Sequence, residues 1–143
     1  MIRTTLQDED AMRDFAAAFG QRLKAGDVVA LSGPLGCGKT TFVRAAVHGL
    51  QGADPVTSPT FTFWHRYPGT PPVDHLDLFR IGDPSELAEL GLEEAFTGNS
   101  IVFVEWWDNA PELLPARRYE ICIAGAGDTP RIVEVCERRN PDT

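Results

Sequence analysis

The chain has 143 residues, 43% hydrophobic and 24% charged, which suits one soluble domain with its own apolar core and is too little for two ordinary ones. No apolar run approaches the roughly 20 residues of a membrane helix, and the opening MIRTTLQDED turns acidic at once, so a cytoplasmic protein without a secretory signal is expected. With 21 acids against 13 bases the formal net charge is −8, a balance that repels a phosphate backbone and argues against direct nucleic-acid binding.

In chain order, Thr5 or Asp8 can cap a helix over about Glu9 to Lys24, since Met12, Phe15, Ala16, Phe19 and Leu23 recur at helical spacing. Gly26 ends it. Val28 to Leu31 is a short β-branched run that reads as a buried strand leading into a glycine-rich turn. A second helix is predicted over Thr41 to Leu50, with Phe42, Val43, Ala46, Val47 and Leu50 inward. Residues 51–72, rich in proline, glycine and threonine, read mostly as loop, with a short extended piece through TFTFWHRY. A strand follows at about Val73 to Phe79, and Asp83, Pro84 and Glu86 form a helix start whose helix stops near Gly91. LEEAF reads as a further helical turn or two, and Ile101 to Val104 as a third apolar strand ending in Glu105, Trp106 and Trp107. RYEICIA and RIVEVCERR alternate across a Gly/Asp/Pro turn, the pattern of an antiparallel hairpin. Early alternation of strands and helices with a closing hairpin implies an α/β domain with a mixed sheet, parallel in its nucleotide-binding part. Cys37, Cys122 and Cys136 form no CxxC pair, so reduced thiols are expected, two packing in strands and Cys37 filling a variable slot of the glycine loop.

The residues GPLGCGKT, Gly33 to Thr40, match GxxxxGK[ST] in full. Glycines let the backbone turn its amides around phosphates, Lys39 adds charge at the β and γ groups, and the Thr40 hydroxyl can ligate Mg²⁺ at the positive end of a helix. Chance yields such an octapeptide in roughly one chain of this length in a few hundred, and here a predicted strand precedes it and a predicted helix follows. The loop, with Leu35, Gly36, Cys37 and Gly38 between its ends, is therefore assigned to nucleotide. Hydrolysis further needs an acid at a neighbouring strand end. Glu105, after IVFV, fits that description, the alternative being a solvated glutamate. Asp77 is a second candidate, because alternation puts His75, Asp77 and Phe79 on one face, although a structural carboxylate would look the same. Thr60 lies in the long loop where nucleotide switches carry a sensing hydroxyl, though threonines are common in loops. The histidines have no metal-ligand spacing, and Trp64, Trp106 and Trp107 fit core packing better than base stacking. Arg44, Arg66 and Arg80 cannot be ranked as charge stabilisers.

With TSPTFT, HLDLFR and FVEWW following GPLGCGKTT in this order, the chain resembles the TsaE (YjeE) family of small bacterial ATPases needed to make threonylcarbamoyladenosine in tRNA. The resemblance covers about residues 5 to 124. It implies a P-loop NTPase-like three-layer domain spanning the chain and ATP hydrolysis with Mg²⁺ in the service of the TsaD and TsaB proteins, of which TsaD performs the transfer to tRNA. It also implies that Lys39 and the amides of Gly36, Gly38, Thr40 and Thr41 hold phosphates, and that Thr40 and Glu105 hold Mg²⁺. Asp77 would act on the attacking water or its network, and Ser58 and Thr60 would belong to a switch-like loop. Two positions depart from the family pattern: Pro34 stands for the usual aspartate, and Trp107 for the proline that often follows VEW.

Two other functions share the cradle. A small-molecule kinase needs an arginine-rich lid, whereas the arginine pairs here, ARR at 116–118 and ERR at 137–139, lie outside the expected lid position. A binding module would use ATP to order the 51–72 segment, with turnover incidental. No NKxD or LSGGQ-like segment occurs, which disfavours a GTPase or a transporter motor. The absence of a recognisable arginine finger predicts slow turnover in isolation.

Overall fold

The computed structural model describes residues 1–34, 36–52, 58–61 (backbone), 63–79 and 91–138. Within these the strands are β1 (Ile2–Leu6), β2 (Val28–Ser32), β3 (Ser58–Phe61), β4 (Trp64–Tyr67), β5 (Val73–Asp77), β6 (Ile101–Glu105), β7 (Arg118–Ala124) and β8 (Arg131–Arg138). The helices are α1 (Glu9–Gly20) and α2 (Lys39–Gln51), with 3₁₀ turns at Leu92–Phe96, Trp107–Asn109 and Pro111–Leu113.

The strands form one sheet in the order β1-β8-β7-β2-β6-β5-β4-β3. Its centre is parallel, β7 with β2, β2 with β6 and β6 with β5, while β8, β1 and the β3–β4 hairpin add antiparallel margins. This is the expected mixed α/β sheet. Both helices cover one face, where Phe42, Val43 and Val47 of α2 and Met12, Ala16 and Phe19 of α1 close over Val29, Leu31, Phe103, Ile121 and Val133. The other face carries Val28, Leu76, Val102 and Val104 beneath Leu92 and Ala95 of the first 3₁₀ turn and Ala110 between the other two. Phe42, Leu31, Phe103 and Ile121 are essentially inaccessible, and each such side chain contributes about 1.5–3 kcal/mol by leaving water. Two glycines allow α1 and α2 to cross closely: a Cβ on Gly20 would lie 2.0 Å from the Ala46 carbonyl oxygen, and one on Gly49 would lie 2.2 Å from that of Ala17.

Asp8, not Thr5, caps α1, accepting a 2.8 Å bond from the Ala11 amide. The helix ends at Gly20, short of the expected Lys24, and tighter bonds from Arg22 to Phe19 and from Leu23 to Gly20 turn the chain toward β2. Strand β1, which periodicity does not predict, runs antiparallel to β8 at the sheet margin. The extended piece expected through TFTFWHRY is present: its described residues contribute part of β3 and all of β4, paired antiparallel. The cysteines are free thiols, but Cys122 is on the exposed side of β7 and accepts a 3.1 Å bond from the Ser32 hydroxyl, so its expected packing role does not hold. The helix start at Asp83, Pro84 and Glu86 lies outside the described residues. No helix among the described residues is long and apolar enough to cross a membrane.

Candidate functional site

Strand β2 delivers the glycine loop at the centre of the parallel sheet. Gly33 has a φ of 150° and its absent Cβ would stand 2.4 Å from the Ile123 carbonyl oxygen and 2.7 Å from the Cys37 sulfur. Only glycine fits there. Gly38, with φ 109°, begins α2 without a side-chain cap; the first intrahelical bond runs 2.8 Å from the Phe42 amide to the Gly38 carbonyl. The first-turn amides of Thr40 and Thr41 thus stand at the positive end of the helix dipole without a side-chain acceptor of the usual capping kind. The Lys39 ammonium is buried, donating to the carbonyls of Gly33 at 2.5 Å and Pro34 at 3.2 Å. It also lies 4.4 Å from the centroid of the Trp106 ring.

Glu105 ends β6 directly opposite Asp77 of β5 in register. It is buried, and its Oε2 accepts a 3.3 Å bond from the Thr40 hydroxyl and lies 2.5 Å from His75 Nε2. A strand end, a neighbouring strand and the helix N-terminus therefore meet on one carboxylate. Asp77 is half-buried and its Oδ1 accepts from the Phe79 amide at 3.0 Å, which bends the chain out of β5. After Glu105 the backbone turns sharply: Trp106 adopts φ 58° and leads into the 3₁₀ turn at Trp107–Asn109. The turn lays Trp106 against Phe79 at 4.9 Å between ring centroids, while the Arg118 guanidinium lies 5.4 Å from the Trp107 ring. The Trp107 indole nitrogen is buried with no hydrogen-bond partner among the described residues. Trp64, Trp106 and Trp107 all pack against the second core cluster, as expected.

Behind this site Asp74, fully buried on β5, accepts from the Trp64 indole at 2.9 Å, from Arg66 at 2.9 and 3.1 Å, and from the Ser100 hydroxyl at 2.7 Å. Burial alone would raise its pKa, but these donors and the Arg66 charge outweigh it and hold the carboxyl below its ordinary value. The network ties β4 to β5 and to the start of β6. In the loop, burial raises the Cys37 thiol pKa, against the opposing pull of Lys39.

Thr40, Glu105 and His75 are thus brought into one polar cluster, with Asp77 opposite Glu105 in register and Lys39 next to Thr40 at the start of α2, its ammonium held by the glycine loop. Gly36 and Thr41 line an adjoining cavity of about 430 Å³, with Leu6, Asp8, Met12 and Arg131. Ser58 and Thr60 fall in β3, next to β4 at the far margin of the sheet; their side chains, Leu35 and Arg80 lie outside the described residues. Arg44 and His48 are exposed on α2, and Arg44 reaches the Tyr67 hydroxyl, which also feels the charge of Glu105. Residue spacing misses His75 and Arg131. The signal for His75 was strand alternation, which sets it on the face of Asp77; Arg131 carries no local signal, because it reaches the loop from 94 residues away.

The family model for threonylcarbamoyl adenosine biosynthesis protein TsaE matches residues 6–133. The chain is 42% identical over 126 residues to the tRNA threonylcarbamoyladenosine biosynthesis protein TsaE of Bacillus subtilis, covering 87% of this chain and 77% of that one. It is 37% identical over 136 residues to the protein of the same name from Rickettsia bellii, covering 93% of each. The crystal structure of Bacillus subtilis YdiB superposes with a TM-score of 0.77 at 33% identity, over 96% of this chain and 84% of that chain.

Proposed function

The chain belongs to the TsaE family, and on that premise we propose that it is the Mg²⁺-dependent ATPase of tRNA threonylcarbamoyladenosine biosynthesis. The single observation that carries this reading is the convergence of Thr40 and His75 on Glu105 Oε2, at the helix start that also carries the buried Lys39. Phosphates are held by Lys39 and by the amides of Gly36, Gly38, Thr40 and Thr41, while the adjoining cavity takes the nucleoside. A hydroxyl and a carboxylate form an all-oxygen donor pair, which fits a hard cation such as Mg²⁺, with Thr40 and Glu105 holding it. When bound, the ion neutralises charge on the β- and γ-phosphates. Asp77, paired in register with Glu105, orders the attacking water. In this reading Ser58 and Thr60 belong to a switch-like segment next to β4.

In this reading the tRNA is handled by partners, TsaD and TsaB, which agrees with the chain's net charge of −8. Equilibrium titration with ATP and Mg²⁺ tests the nucleotide site. The wild type binds, Lys39→Ala does not, and hydrolysis by the isolated chain runs well below about 10 s⁻¹. Unchanged binding by Lys39→Ala, or transfer of phosphate to a metabolite, would overturn the reading.

A further inference from the structure

The guanidinium of Arg131, at the start of β8, is spread over two turns of backbone. Its Nε donates to the Cys37 carbonyl at 2.8 Å and its Nη2 to the Gly36 carbonyl at 3.3 Å, both in the glycine loop. The same Nη2 donates to the Gly127 carbonyl at 3.1 Å, and Nη1 to that of Thr129, both in the β7–β8 turn. That turn is itself closed by Thr129, whose hydroxyl donates to the Ala126 carbonyl at 2.6 Å. A planar fork with five donors holds several carbonyls in one rigid arrangement, whereas a lysine ammonium offers three donors on a freely rotating head and reaches fewer of them.

The consequence follows from peptide geometry. In a trans peptide the C=O and the following N–H point in opposite directions, and the Gly36–Cys37 and Cys37–Gly38 bonds are trans, the one cis bond among the described residues being Thr70–Pro71. Drawing the Gly36 and Cys37 carbonyls toward Arg131 therefore turns the Cys37 and Gly38 amides to the opposite side. The Cys37 amide is directed back across the loop to the Pro34 carbonyl at 3.2 Å, closing the turn. The Gly38 amide is the one next to the Lys39 ammonium in sequence.

We propose that Arg131 is a positioning residue for nucleotide binding, which orients the Gly38 amide toward phosphate by holding the carbonyl of the same peptide, that of Cys37, from behind. The inference rests on the reading of the loop as a nucleotide site. It makes the β7–β8 hairpin a working part of that site: movement of the 125–130 turn is transmitted to the loop through one side chain.

The test is equilibrium binding of ADP to wild type, Arg131→Lys, Arg131→Ala and Lys39→Ala, with thermal melting of each, followed by ATPase kinetics. Arg131→Lys keeps the charge and loses the fork. It is expected to melt near the wild type, to bind ADP at least about tenfold more weakly, and to raise KM for ATP with a much smaller change in kcat. If Arg131→Ala does not fold, Arg131→Lys decides. ADP binding by Arg131→Lys equal to wild type overturns the inference alone, and so does loss of folding by both Arg131 variants, which would make the residue a structural anchor only. A wild type that binds no ADP, or Lys39→Ala that binds as wild type does, overturns the site reading and the inference with it.

Discussion

His75 Nε2 lies 2.5 Å from Glu105 Oε2, the same oxygen that accepts from the Thr40 hydroxyl at 3.3 Å. A carboxylate held at two points on one oxygen has a fixed orientation, and in a buried setting that order costs nothing further when the reaction begins. Replacing Glu105 by Ala is expected to leave ATP binding within about threefold of wild type and to lower hydrolysis by at least about a hundredfold. Parallel measurement of ATP affinity and single-turnover hydrolysis checks it; an equal loss of both would assign Glu105 to binding alone.

Because the Lys39 ammonium sits 4.4 Å from the Trp106 ring centroid, any ligand that draws Lys39 toward phosphate must change the surroundings of that indole. Nucleotide binding should therefore alter tryptophan emission, and Trp106→Phe should remove most of the change while Trp64→Phe keeps it. A full response in Trp106→Phe would place the signal in another tryptophan and contradict its origin in the Lys39–Trp106 contact.

Asp74 contributes to stability through its charge. Its carboxyl is held below the ordinary value of 3.8, so the contribution is fully present above that pH and is lost as pH falls through the lower folded value. Asp74→Asn should be destabilised by about 1–3 kcal/mol at pH 7, the Arg66 share being screened because that side chain is 47% exposed. Denaturant melts at a series of pH values should show the gap between the two proteins narrowing below about pH 4. A gap that is the same at pH 7 and pH 3 would show that shape, not charge, sets the effect.

Gly49 touches α1 backbone, where an added Cβ would stand 2.2 Å from the Ala17 carbonyl oxygen. Although alanine favours helices, Gly49→Ala should destabilise the fold by about 1–3 kcal/mol by forcing α1 and α2 apart. A melting temperature at or above wild type would contradict this crossing.

How much of this is legible in the sequence depends on where each element's order comes from. Val28–Leu31 and Ile101–Val104 are readable because a strand covered on both faces is an unbroken apolar run. Ile2–Leu6 is not, since an edge strand with mostly exposed side chains takes its order from backbone bonds to β8. Helix α1 stops at Gly20 because i→i−3 bonds from Arg22 and Leu23 take over there, yet Leu23 is still buried in the core and so keeps the apolar spacing that reads as helix in the sequence. In the site, Thr40 and Glu105 are found by position, one at a helix start and the other at a strand end. His75 offers no metal-ligand spacing, and its meeting with Glu105 depends on the parallel register of β5 and β6. Arg131 depends on the closing hairpin folding back over the loop.

The most direct measurement is threonylcarbamoyladenosine formed over several turnovers in a reaction containing TsaD, TsaB, an enzyme that activates threonine and bicarbonate to a threonylcarbamoyl donor at the expense of ATP, tRNA, threonine, bicarbonate, ATP and either this chain or its Glu105→Ala variant. Hydrolysis that serves tRNA modification predicts continued product with the wild type and a halt after the first round with Glu105→Ala. Equal yields from the two would contradict an energetic role for ATP hydrolysis by this chain.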